Sequence, residues 1–124
     1  MQTFKEILEN YGAGYEVTLG RFLGDETFYL KMLGMLLKDD SIRKLGSAVQ
    51  NGDLTEAFEA AHSLKGITGN LGLTPLYNAA CAIVEPLRAK EAREDYSALY
   101  QAVEAEFEKA GLLWHELNEI KNGG

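Results

Sequence analysis

Apolar residues recur at three- and four-residue spacing along most of this chain, and short Gly- or Asp-bearing breaks cut the pattern into segments. Phe4, Ile7, Leu8 and Tyr11 predict a short amphipathic helix closed by Gly12-Ala13-Gly14. Val17, Leu19, Phe22 and Leu23 predict a second short segment ending at Gly24-Asp25. From Glu26, the positions Phe28, Leu30, Met32, Leu33, Leu36 and Leu37 predict a longer helix, and Asp39-Asp40-Ser41 supplies a turn and an N-cap candidate. Ile42, Leu45, Ala48 and Val49 mark the next helix, closed by Asn51-Gly52. Asp53 is placed to cap the one after, with Glu56 three residues on as in a capping box. Thr74-Pro75 reads as an N-cap and first helical position. Leu76, Ala79, Ala80, Ile83, Val84 and Leu87 carry that helix towards Lys90, and Pro86 inside it predicts a kink or an early end. The last helix starts near Asp95 and runs past Trp114 through Tyr96, Leu99, Val103, Phe107, Ala110, Leu113 and Leu117, leaving Asn122-Gly123-Gly124 as a frayed tail.

No internal repeat, low-complexity segment or long linker divides these elements. Short connections between four long amphipathic helices predict an all-α fold: an antiparallel four-helix bundle with short additional N-terminal helices. One domain over residues 1–124 is expected, with the core bundle at about 26–120. A chain of 124 residues with 46% hydrophobic and 25% charged residues can bury a real core, and only two prolines interrupt it. No stretch approaches the roughly 18 consecutive apolar residues that span a membrane. The N-terminal Met1-Gln2-Thr3-Phe4-Lys5-Glu6 lacks the basic-then-apolar pattern of a secretory signal. Cys81 is alone, so no disulfide framework or cysteine metal set exists. Together these give the expectation of a cytoplasmic monomer. The Met1 start and the complete bundle favour a stand-alone protein over an excised domain. A formal net charge of −7 argues against nucleic acid and anionic membrane surfaces as partners.

The helix after Asp53 carries the candidate chemistry. Projected at about 100° per residue, Ala57, Ala60, Leu64, Ile67 and Leu71 form its apolar stripe. His62 falls almost opposite, flanked within roughly 60° by Thr55, Phe58, Glu59, Lys65, Gly66 and Gly69. A histidine that filled the core would lie on the Leu64 side; this one points to solvent. Glycine weakens a helix interior by about 1 kcal/mol relative to alanine, so Gly66 and Gly69 are expensive choices. A glycine at i+4 from His62, and another at i+7, predict a clear surface over which a large group can reach a ring nitrogen. Lys65 at i+3 can lay its ammonium beside an anion attached there. The plain alternative is a surface histidine with no role, which this neighbourhood disfavours.

His62-Ser63-Leu64-Lys65-Gly66 followed by Asn70-Leu71-Gly72, with Asn51-Gly52-Asp53 and Ala60-Ala61 before it, resembles the signature of histidine-containing phosphotransfer (HPt) domains. The coarse resemblance covers roughly residues 15–105. It implies that His62 accepts a phosphoryl group, that Lys65 supports it electrostatically and that Gly66 gives the partner access. Pro86 departs from the family pattern, in which this helix is usually uninterrupted. The resemblance further implies a partner: a response-regulator receiver domain, which brings its own aspartate, Mg²⁺ and lysine, or a hybrid histidine kinase. The protein would then be a phosphoryl carrier, not an enzyme with its own turnover, and would need no cofactor itself.

Elementary chemistry agrees with that division of labour. Neutral imidazole is a nucleophile well populated near pH 7, and phosphoryl transfer needs in-line positioning and charge neutralisation. Glu59 is the sole carboxylate near His62 in projection and reads as a solvated charge. Gly12-x-Gly14 lacks the lysine and strand of a nucleotide loop. An acidic body would favour release of the phosphoryl group. Phe58 is either half-buried against a neighbouring helix or part of an apolar docking patch with Glu59, Gly69 and Asn70. His115 beside Trp114 reads as structural or incidental, Cys81 as a small core residue, and Glu85 as a solvated charge on a helix that can border the docking face. A metal site would need ligands beyond His115 and scattered carboxylates. A module of the same fold that docks partners without being phosphorylated is the remaining alternative; losing His62 or Lys65 would mark it, and both are present.

Overall fold

The computed structural model describes residues 2–122, and those residues form helices, turns and loops without a strand. In chain order the helices are α1 (Phe4–Tyr11), α2 (Tyr15–Gly20), α3 (Glu26–Leu37), α4 (Ser41–Asn51), α5 (Leu54–Asn70), α6 (Thr74–Arg88) and α7 (Tyr96–Asn122). Gly123 and Gly124, expected in a frayed tail, lie outside the described residues, whereas Asn122 is the last residue of α7.

Local chemistry accounts for the boundaries that frame α5. Asp53 accepts the Glu56 backbone N–H at 3.0 Å, as an N-cap should. The return half of the expected capping box is absent, because the Asp53 N–H already donates to Ala48 O at 2.9 Å in the C-terminal turn of α4. That turn needs Gly52 at φ +72°, a left-handed conformation that suits glycine. At the other end Gly72 plays the same part at φ +69°, and Leu73 N–H donates to Thr68 O at 3.0 Å. One capped helix therefore sits between two tight turns.

Several expectations need correction. The second segment ends as a helix at Gly20, and Val17 and Leu23 are 67% and 91% exposed; only Leu19 and Phe22 of that set are buried. Leu23 occupies a left-handed turn at φ +60°, which turns its side chain out of the core set. In α3, Tyr29 takes the fully buried place and Phe28 is exposed at the rim. Helix α4 is led by Asp40 without a side-chain cap; the Asp39 carboxylate accepts the Ser41 N–H instead. Thr74 is already helical, and the capping position falls on the buried Leu73. Pro86 does not stop α6, which continues to Arg88. The hydrogen bond that its missing N–H forfeits would have gone to the Ala82 carbonyl, one bond near the end of the helix. The helix stops two residues short of Lys90. Lys90 itself is left-handed at φ +53°, and the N–H groups of Lys90 and Glu91 close the end on Leu87 and Pro86.

A continuous core joins the elements. Helix α5 packs between α4 and α6, and α7 lies along α6, α4, α3 and α1. Facing residues on α5 and α6 run in opposite order, Gly69 with Tyr77, Lys65 with Glu85 and Phe58 with Arg88, so these two helices are antiparallel. Two polar anchors lock α3 in place. The buried Tyr29 hydroxyl donates to Leu71 O at 2.7 Å, and Trp114 Nε1 donates to Leu30 O at 3.1 Å. Together they fix α3 against the α5–α6 turn and against α7.

Candidate functional site

Helix α5 presents two faces. Ala57, Ala60, Ala61, Leu64 and Thr68 are buried, and Thr68 satisfies its hydroxyl by donating to Lys65 O at 3.2 Å. Ile67, expected in the buried stripe, is only half-buried, and the polar Thr68 next to it is the buried residue of that turn. On the other face His62, nine residues into this 17-residue helix, is exposed. The imidazole lies over the Phe58 ring, with centroids 5.5 Å apart and planes inclined by 19°. One turn of helix thus supports the ring from the N-terminal side while the residue as a whole stays exposed.

Phe58 takes the half-buried alternative, packed towards the neighbouring helix α6. The Arg88 guanidinium from α6 sits 5.2 Å from its centroid, so the ring meets both His62 and a cation. Lys65 keeps its stem against α6 and its ammonium 3.9 Å from Glu85, which also lies 3.6 Å from Arg88. Two cations and one carboxylate therefore form a row of charges between α5 and α6, beside the turn that carries His62. On the α4 side, Ser63 meets the Ser41 hydroxyl at 3.5 Å. Glu59 is exposed and makes no ion pair among the described residues.

The two glycines differ. A Cβ at Gly66 would meet nothing within 4 Å, so the space directly over this position, one turn from His62, is open. At Gly69 a Cβ would stand 3.1 Å from the Tyr77 ring. The expected clearing a turn beyond Gly66 is absent, because α6 fills it; Gly69 is there to let Tyr77 in. Its carbonyl and that of the exposed Asn70 accept the Arg21 guanidinium at 3.0 and 3.3 Å, which binds the end of α5 to the loop after α2. Cys81, expected in the core, is half-buried on α6. His115 is exposed on α7 with its ring edge-on to Trp114, apart from the His62 constellation.

Sequence reasoning missed Arg88. Its sole signal is a basic residue in the last turn of the helix after the site, which local periodicity cannot tie to Phe58 across two helices. Glu85 was legible as a charge bordering the site but not as the partner of Lys65.

Among the described residues no three His, Cys, Asp or Glu side chains come together as a metal-binding group. None of the helices is long and apolar enough to cross a membrane among those residues. What the site offers chemically is an accessible imidazole nucleophile, a nearby ammonium and guanidinium, and open space above the ring. No curated protein and no solved structure gives a significant match. The Hpt domain family model matches residues 32–121, a span that runs from α3 through α7 and includes every side chain of the site. The chain belongs to the Hpt domain family, the histidine phosphotransfer modules of phosphorelay signalling.

Proposed function

We propose that His62 accepts a phosphoryl group and exchanges it with the aspartate of a response-regulator receiver domain. The observation that carries this reading is the pairing of an exposed, ring-supported His62 with an open position at Gly66 on the same face. Lys65 is assigned electrostatic support of the phosphorylated ring, and Gly66 the access. Phe58 and Glu59, with Asn70 at the edge, are assigned to the docking face; Gly69 is left out of it because Tyr77 occupies its exposed side. The scaffold is read as a single domain in which α4, α5, α6 and α7 form an antiparallel four-helix bundle carrying α1 to α3.

The chemistry is a balanced exchange. The aspartate oxygen forms an O–P bond as the N–P bond to His62 breaks, and the bonding pair returns to the ring nitrogen. A proton held on the other ring nitrogen leaves the imidazole neutral. Charge neutralisation in that exchange requires a cation set at the transferring group. Lys65 contributes one member; Mg²⁺ is assigned to the receiver, because the acidic side chains flanking His62 on this chain do not converge. On this account the chain is a carrier with no cofactor of its own.

The test is to incubate the chain with a panel of phosphorylated receiver domains and follow label on it. Acid-labile, alkali-stable label from at least one receiver is the expected result. Binding to receivers without label on the chain would replace the reading with that of a docking module.

A further inference from the structure

We infer that Glu85 is a built-in counter-charge that sets how readily the phosphoryl group leaves His62, by competing with it for Lys65 and Arg88. The inference rests on the proposed role of His62. In the structure the Glu85 carboxylate joins two cations, Lys65 one turn from the histidine on α5 and Arg88 against the Phe58 ring, 3.9 Å from Lys65 Nζ through one oxygen and 3.6 Å from Arg88 Nε through the other. Arg88 is at the same time held 5.2 Å from the centroid of the Phe58 ring, on which the imidazole also stacks. One side chain thus reaches both positive groups that flank the site, from a helix that does not carry the histidine.

A phosphorylated His62 carries close to two negative charges within reach of Lys65 at i+3. The cations then have two anionic partners. Each contact with the phosphoryl group draws on a contact with Glu85, and the carboxylate left behind repels the new anion. Both effects raise the free energy of the phosphorylated chain and leave the free chain favoured. The pairs are long and partly solvated, so the effect is moderate and screened by salt. Glu85 acts here as a positioning residue through Lys65 and Arg88, and it makes no bond to the reacting atoms.

The experiment measures the equilibrium between phosphorylated chain and phosphorylated receiver, with both proteins dilute enough that little complex is present. That ratio depends on the free energies of the separate proteins and not on docking strength, so a merely structural role for Glu85 would not move it. Glu85→Gln is expected to shift the ratio about two- to fivefold towards phosphohistidine at low ionic strength. Glu85→Asp, which keeps the charge, should return most of the way to wild type. In about 1 M salt, where the Debye length falls to about 3 Å, the difference between Glu85→Gln and wild type should largely vanish. Arg88→Gln should move the ratio in the opposite direction. A Glu85→Gln ratio equal to wild type at low salt overturns the inference while leaving His62 as acceptor. A wild-type chain that takes no label at all overturns the reading beneath it and the inference with it.

Discussion

Gly66 and Gly69 lie three residues apart on one helix and have opposite surroundings. Above Gly66 there is open solvent; against Gly69 stands the Tyr77 ring, close enough that a methyl group would have to push it aside. Identical residues with identical intrinsic cost to the helix therefore stand in different surroundings, one open to solvent and, on the proposed reading, to a partner, the other filled by a neighbour within the chain. The difference teaches that the open surface beside His62, the proposed functional face, is narrower than the row of small residues implies. It is the turn around His62 and Gly66, bounded on one side by the Lys65–Glu85–Arg88 charges and at the far end by Tyr77 and Arg21.

The largest expected effect breaks function and leaves structure alone. His62→Gln should abolish phosphoryl acceptance with little change in Tm, since an exposed side chain contributes little to folding. His115→Gln should transfer as wild type does; the reverse pattern would move the site to α7. Next, Gly66→Leu should slow transfer strongly and Gly66→Ala mildly. Both should stabilise the helix, by up to about 1 kcal/mol for alanine. Chemical denaturation and single-turnover transfer on the same samples show whether the two quantities separate.

Gly69 should answer differently. Gly69→Leu should destabilise by about 1–3 kcal/mol through overpacking against Tyr77, and Gly69→Ala should gain less than Gly66→Ala does. Pairing Gly69→Ala with Tyr77→Ala in a double-mutant cycle should recover the missing gain; purely additive changes would show that Tyr77 is not the reason for the glycine.

Smaller effects lie away from α5. Burial acts to raise the Glu26 carboxyl, but hydrogen bonds from Lys121 at 2.9 Å and Tyr15 at 2.8 Å outweigh it and hold its pKa below the ordinary value. A lowered folded pKa gives stability that is present above the unfolded value of about 4.3. It is lost as pH falls through the folded one. The Tm gap between wild type and Glu26→Gln should accordingly narrow between about pH 6 and pH 3, and a gap that widens would contradict the pairing. Smallest of all, Lys90→Gly should stabilise by about 0.5–1 kcal/mol, because Lys90 holds a left-handed conformation that glycine adopts freely.

Much of the fold is written in local pattern. The helix boundaries at Tyr11, Asn51 and Asn70 follow from Gly12, Gly52 and Gly72, which local sequence displays. The placement of His62 opposite Leu64 follows from 3.6-residue periodicity alone. What periodicity could not supply is anything decided between helices. Tyr77 filling Gly69, Arg88 reaching Phe58, and Glu85 joining Lys65 all depend on the register of α6 against α5. Leu23 and Cys81 failed for a related reason: hydrophobic type sets a preference for burial, while the turn geometry and the helix rotation decide it.

The site assignment is tested most directly by locating the phosphoryl group. The wild-type chain is charged from a phosphorylated receiver, digested under alkaline conditions that preserve N–P bonds, and the modified residue identified by fragmentation. The account predicts modification of His62 alone; a phosphoryl group found on His115 or on any serine, or none on the chain after exposure to competent receivers, would contradict it.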